Sequence, residues 1–172
     1  MFKLIKNNRS VTDTWKTLTL AARDTPHSVR LPAGPLLVPL SVWQARRAEL
    51  IHREYEHGWP LGIWLTAAES AEAIAHDIDD FTVIAIELGK FTGGDGHATA
   101  RLLRERHGYQ SELRAIGDVT NDQLTQLRKA GFDTFIVSNY TNTPAETVPS
   151  GWFNFNVIER FRSLLHRDAI AG

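Results

Sequence analysis

Cysteine is absent from this sequence. That excludes disulfides, thiolate metal sites, iron–sulfur ligation and any cysteine nucleophile. Nor is there an excess of either charge. Nineteen Lys and Arg stand against twenty Asp and Glu, a formal net charge of -1, so no overall basic field gathers nucleic acid. No apolar run approaches the ~20 residues that span a bilayer. The opening MFKLIKNNRS lacks the apolar centre of a signal peptide. Together these absences predict a soluble, cytoplasmic protein with neither nucleic acid nor membrane as partner. The sequence also lacks a G-x-G-x-x-G fingerprint and a Walker loop. No cofactor is therefore expected, and no metal: His97 has no histidine or carboxylate four residues on to share an ion.

What is present is ordinary for a globular chain: 172 residues, 42% hydrophobic and 23% charged. That length predicts one domain over residues 1–172. Five apolar runs recur along it, at 36–40 (LLVPL), 61–65 (LGIWL), 82–88, 113–119 and 134–139. Between them lie helix-like segments. VWQARRAELIHREYEHG, ATARLLRERHG and DQLTQLRKAG each close on a glycine suited to a left-handed cap, Gly58, Gly108 and Gly131. Ala100 and Leu103, and Leu124 and Leu127, are spaced to face a core. Gln126, Arg128 and Lys129 fall on the water side. The arginines and glutamates of LLRERHG read as a solvated face.

Four hydroxyl residues after apolar runs are followed three positions on by Glu or Gln: Ser41–Gln44, Thr66–Glu69, Thr120–Gln123 and Thr143–Glu146. Each pair reads as a capping box at a helix start, and Pro144 suits the first helical position. A last amphipathic helix is expected from Asn156 to about Arg167, with Val157, Phe161 and Leu164 on its inner face. Alternating strands and helices imply parallel strands with right-handed crossovers, and uninterrupted apolar runs imply strands covered on both faces. The chain is short of the ~250 residues of a complete eight-unit barrel. The expected fold is α/β: about five tandem β/α units forming a parallel open sheet or partial TIM-like barrel. A β extension over residues 1–30, a hairpin or edge pair of MFKLIKN with DTWKTLTLA, precedes it.

Ligands of such folds collect at the carboxyl ends of the strands. The candidates there are Glu87 and Lys90 after the third run, Asp118 after the fourth, and Ser138, Asn139 and Tyr140 after the fifth. Glu87 interrupts an apolar strand. It reads as a general base with a raised pKa, or as an ion pair with Lys90 at an exposed strand end. Gly93–Gly94–Asp95–Gly96–His97 precedes a helix and reads either as an anion cradle or as a tight turn whose Asp95 caps the helix. Arg114 sits at a mostly apolar strand position and needs a carboxylate, which Glu112 supplies two residues away on the same face. Asp118 belongs to a strand-end site or bonds the following helix start. Asp122 and Gln123 complement the first turn of that helix. Trp43, Trp59, Trp64 and Trp152 read as packing residues.

FTGGDGHATARLLR, SELRAIGDVTNDQ and GFDTF together resemble a proteobacterial family known as domain of unknown function 934. The outer segments PLLVPLSVW and LGIWL extend the resemblance over roughly residues 30–140. Members of that family are often described as probable oxidoreductases of sulfite reduction, because they are encoded beside assimilatory sulfite reductase. The matching positions are Phe91, Gly94, Gly96, Ala100, Arg101, Leu102, Leu103 and Arg104, then Glu112, Arg114, Gly117, Asp118, Asp122, Gln123 and Asp133. The glycine loop departs from the family pattern. Gly93 stands for an Asp, Asp95 for an Arg, His97 for a Tyr and Ala98 for a Ser.

The resemblance implies an accessory protein or oxidoreductase-linked enzyme of sulfur assimilation. It would carry a small-anion site at the strand carboxyl edge, built from Lys90, Gly94, Asp95, His97, Arg101, Arg114, Asp122, Gln123 and Asn139. Glu87 and Asp118 are its candidate catalytic groups. The altered loop keeps open a second expectation, a non-catalytic adaptor with a sulfite reductase subunit or a second copy of itself as partner.

Overall fold

The computed structural model describes residues 2–89 and 96–138. In chain order the elements are β1 (Phe2–Lys6), β2 (Arg9–Val11), β3 (Lys16–Thr17), β4 (Leu36–Pro39), α1 (Leu40–His57), β5 (Leu61–Leu65) and β6 (Val83–Leu88). They continue with α2 (Gly96–Glu105), β7 (Glu112–Val119), α3 (Leu124–Ala130) and β8 (Thr134–Ser138). The five apolar runs became β4 to β8, neighbouring and parallel in sequence order.

The sheet is nevertheless mixed rather than wholly parallel. It has eight strands in the order β2-β1-β8-β7-β6-β5-β4-β3, and β1 runs antiparallel to both β2 and β8. The N-terminal extension is also built differently from the expected pair. The hairpin joins β1 to β2 through Asn7 and Asn8, both at positive φ (49° and 62°), a conformation asparagine tolerates and two-residue hairpins require. DTWKTLTLA does not pair with β1. Its Lys16–Thr17 pairs parallel to Leu36–Leu37, at the opposite edge of the sheet.

That connection forces the sheet to bend. Val11 on one edge strand and Lys16 on the other are five residues apart, a span of at most ~18 Å. Eight strands laid flat would separate the edges by ~34 Å. The sheet accordingly curls into a half-barrel, and residues 12–15 cross its mouth.

Strand alternation divides the side chains between two faces. Ile5, Leu36, Val38, Leu61, Ile63, Leu65, Ile84, Ile86, Leu113, Ala115, Phe135 and Val137 join the larger core with the helices. Trp43 of α1 is 1% exposed there and meets Phe81 edge-on at 4.7 Å. The opposite face carries Leu37, Trp64, Val83 and Ala85, packed with Trp15 and Ile116. Gly62 on this face permits a close approach: a Cβ there would lie 2.6 Å from Leu37, 2.7 Å from the Val83 carbonyl and 3.1 Å from the Trp15 ring. Trp64 donates its indole N–H to the Leu18 carbonyl at 2.9 Å, tying the crossing segment to the sheet.

The helix signals were met unevenly. Gly58 and Gly131 close α1 and α3 in the left-handed conformation, and Thr120 with Gln123 forms a complete capping box. Ser41 caps nothing: α1 begins one residue before it, at Leu40, with Pro39 at the cap position and no side-chain bond. Thr66 and Glu69 make only a turn, in which the Glu69 carboxylate accepts from the Thr66 N–H at 2.7 Å. No α-helix follows it. Between β5 and β6 are two short 3₁₀ turns, Ala71–Ile74 and Ile78–Asp80. Asp77, Asp79 and Asp80 stand where a helix there would end, against its macrodipole. Asp77 is moreover held by α1, accepting from the Trp43 indole at 2.9 Å and pairing with Arg47 at 2.7 Å. Among the described residues there are thus three α-helices. The Thr143–Glu146 box, Trp152 and the helix expected from Asn156 lie outside them.

Candidate functional site

The amino ends of the central strands are wired together by charge. Arg114, 1% exposed, donates from Nε and Nη2 to Glu112 Oε1 at 3.0 and 2.8 Å, as its place two residues along the strand implied. The Thr134 hydroxyl, opposite Arg114 on β8, donates to the same oxygen at 2.8 Å. Lys6 reaches the other Glu112 oxygen at 3.3 Å. The remaining arm of Arg114 meets Asp13 of the crossing segment, whose side chain is 2% exposed. Asp13 also accepts from the Trp15 N–H at 2.8 Å.

The two carboxyls that share Arg114 shift in opposite directions. Burial pushes Asp13 up, to about 6, against the Arg114 charge and the Trp15 N–H. Burial also works to raise Glu112, but the charge and N–H groups of Arg114, the Thr134 hydroxyl and Lys6 outweigh it and hold Glu112 below the usual range. Glu112 takes two of the guanidinium contacts and Asp13 one, and Asp13 sits deeper. The opposite signs follow from that asymmetry.

A second clamp sits beside the first. Arg104 of α2 donates to the carbonyls of Gly131, Tyr109 and Ser111 and pairs with Asp133. Asp133 in turn accepts from the Leu113 N–H at 2.9 Å. Tyr109, 3% exposed, donates its hydroxyl to the Phe81 carbonyl at 3.0 Å, and burial raises its pKa well above the ordinary value. Arg104 was expected on a solvated face. Its guanidinium instead joins α2, the start of β7 and the turn into β8.

The carboxyl ends are built by a break in regular pairing. Ala115 pairs with Phe135 and Val119 with Val137, so β7 spends four residues where β8 spends two. Gly117 lies in this bulge at φ +94°, and a Cβ there would fall 2.5 Å from the Leu88 carbonyl and 3.4 Å from Glu87 Cγ. Only glycine allows that approach. Bulges of this kind end pairing and re-aim side chains at the rims of barrels. Glu87 therefore lies against Gly117, with Asp118 next along the strand, both half-buried. From the other side α2 begins hard against β6: a Cβ on Gly96 would lie 2.3 Å from Leu88.

The structure thus brings Gly117 of β7 and Gly96 of α2 against Leu88 and Glu87 of β6, with Asp118 and His97 the next residues along their own elements. It does not bring Arg114 to that edge. Arg114 lies opposite Ala85, two residues before Glu87, and belongs to the amino-end network. Asp122 and Gln123 lie exposed in the 3₁₀ turn leading into α3, where Gln123 completes the capping box. Arg101 is exposed on α2. Lys90, Gly94, Asp95 and Asn139 lie outside the described residues. Among the described residues no group of three or more His, Asp or Glu is placed to hold a metal ion. No described helix is long and apolar enough to cross a membrane.

Sequence reading missed Asp13, Thr134 and Lys6. One signal pointed to an acceptor such as Asp13: an arginine offers five N–H groups, and Glu112 alone does not satisfy those of a buried one. Thr134 and Lys6 donate to Glu112 instead and left no such signal.

The family model described as bacterial protein of unknown function (DUF934) matches residues 62–155, more than half of the chain. The chain belongs to this family. The match starts later and ends later than the residues 30–140 over which the resemblance was drawn. It takes in β6 to β8 with Arg104, Glu112, Arg114 and Asp133. It leaves out β1 to β4 and therefore Asp13, the partner of Arg114. Within the DUF934 region, Arg104, Glu112, Arg114 and Asp133 fall in the amino-end clamps and Gly117 in the carboxyl-end bulge. No curated protein matches the chain.

Proposed function

We propose that this DUF934 protein is an accessory protein of sulfite reduction that binds a small anion at the carboxyl edge of its parallel strands. One observation supports the reading: the β7 bulge at Gly117, which packs against Leu88 and Glu87 one residue before Asp118, where Gly96 at the start of α2 also approaches Leu88. Arg101 on α2 supplies positive charge and His97 a ring N–H for the anion, and Lys90, Gly94 and Asp95 are assigned to the same site from the sequence alone. Glu87 and Asp118 are the groups for any proton transfer to or from the ligand.

A thermal-shift series with sulfite, sulfate and adenosine phosphosulfate tests this reading. A ligand at one hundred times its Kd adds about 2.7 kcal/mol to stability, a rise of roughly 5–10 °C for a chain of this size. Arg101→Gln and His97→Gln should reduce that rise. No rise with any of the three compounds would remove the reading.

A second reading, an adaptor that docks on a reductase subunit, draws on α1. Ile51 and Tyr55, one helical turn apart, are both exposed, Tyr55 by 89%. Tyr55→Ser should abolish co-purification with the reductase if that face is used, and leave it unchanged otherwise.

A further inference from the structure

At the amino end of the half-barrel, a cavity of about 480 Å³ opens between the β1–β2 turn, the start of β7 and the end of α3. Its walls include Lys6, Asn7, Ser111, Glu112, Arg128 and Asp133. The size is within the usual range for small-molecule sites. Two cations face two carboxylates here, but they are not equally committed. Glu112 is already taken by Arg114, Thr134 and Lys6. Asp133 is taken by Arg104 and the Leu113 N–H.

Arg128 is different. Sequence periodicity placed it in water, yet its guanidinium folds back over the Phe135 ring, 5.2 Å from the centroid. Its Nη2 is shut off from solvent and has no hydrogen-bond partner among the described residues. Buried polar nitrogen without an acceptor is uncommon in a native fold and asks for one. The neighbouring charges agree. Lys6, Arg104, Arg114 and Arg128 stand against Asp13, Glu112 and Asp133 in this corner, four cations against three anions.

We propose that this cavity is a second anion site, taking a small molecule through a carboxylate, sulfonate, sulfate or phosphate group. Arg128 supplies N–H donors as its guanidinium turns from Phe135 toward the ligand, and Lys6 a mobile charge. The Ser111 hydroxyl and the Asn7 amide lie at the rim, and Asp133 faces whatever donor the ligand carries beyond its anionic group. The site lies at the opposite end of the strands from the edge that Glu87 and Asp118 occupy, and does not rest on it.

The test is an NMR titration of the full, isotope-labelled chain with four probes in turn: inorganic sulfate, inorganic phosphate, methanesulfonate and succinate. At least one should give saturable shifts at the Asn7, Gln110 and Ser111 amides. Arg128→Gln and Lys6→Gln should each weaken that binding roughly tenfold or more. If Arg128→Gln fails to fold, Lys6→Gln, which removes a half-exposed ammonium, decides. No saturable shift at those amides with any probe overturns the site, as does binding there that neither substitution weakens. Shifts confined to Gly96, Gly117 and Asp118 would overturn it while leaving the carboxyl-edge function standing. The reverse pattern would do the opposite.

Discussion

The two ends of the sheet are made by opposite means. At the amino end the starts of β7 and β8 are tied to other elements: Asp13 and Glu112 to Arg114, Thr134 and Lys6 to Glu112, Asp133 to Arg104. At the carboxyl end regular pairing is interrupted, and a single glycine lets β7 press against the backbone of β6. The first arrangement holds a curled sheet closed. The second gives up ladder hydrogen bonds and lets Gly117 pack against Leu88 and Glu87. Buried charge thus shapes one rim, and interrupted pairing the other.

The sharpest way to break the comparison is to remove the amino-end cation. Arg114→Met leaves Asp13 and Glu112 facing each other without their shared partner, and loss of one member of a buried ion cluster costs about 3–5 kcal/mol. Denaturant unfolding should show that loss, whereas Glu87→Gln should change stability by about 0.5 kcal/mol or less. Equal losses would erase the distinction between the rims.

Next in size is a pH effect. Folded Asp13 keeps its proton to about pH 6, while an unfolded aspartate loses it near ~3.9. Between those values the native state binds more protons, so this group's share of stability falls as pH rises. Asp13→Asn removes that fall. Between pH 4 and pH 7 the difference in unfolding free energy should move in the variant's favour by about 2 kcal/mol. Glu112 has the opposite sign: its pKa is lowered, so its contribution is lost only as pH drops below the ordinary glutamate range. A flat difference between variant and parent across this window would mean that Asp13 is not buried against Arg114.

At the other rim, Gly117→Ala places a Cβ 2.5 Å from the Leu88 carbonyl at φ +94°. The expected cost is roughly 1–3 kcal/mol, with the ligand response reduced along with it. Thr120→Ala breaks the capping box for ~1 kcal/mol and should leave both rims intact.

Much of this frame was legible in the residues. Strands buried on both faces announce themselves as unbroken apolar runs, and β4 to β8 fell within a residue of theirs. The Glu112–Arg114 contact followed from two-residue alternation. What escaped was long-range or too short to carry a period. Asp13 lies 101 residues from Arg114. β2 and β3 are three and two residues long, below the length at which alternation reads. Asn7–Asn8 was a hairpin signal passed over in favour of the apolar text on either side. Arg128 followed the helical wheel at its Cα and departed from it at its guanidinium, because a long stem lets the charge fold back over Phe135. At the carboxyl edge, position in the fold gave Glu87 and Asp118 as candidates, and the Gly117 bulge was not legible, since a glycine inside a strand signals several things.

Native-state amide hydrogen exchange tests the division between the rims most directly. The amides of Trp15, Leu113 and Arg114 should exchange only through global unfolding, and those of Gly117 and Asp118 through openings several kcal/mol easier. If Trp15 exchanges like an open loop, or Gly117 and Asp118 are as protected as Arg114, the amino end does not hold the sheet closed and the account fails.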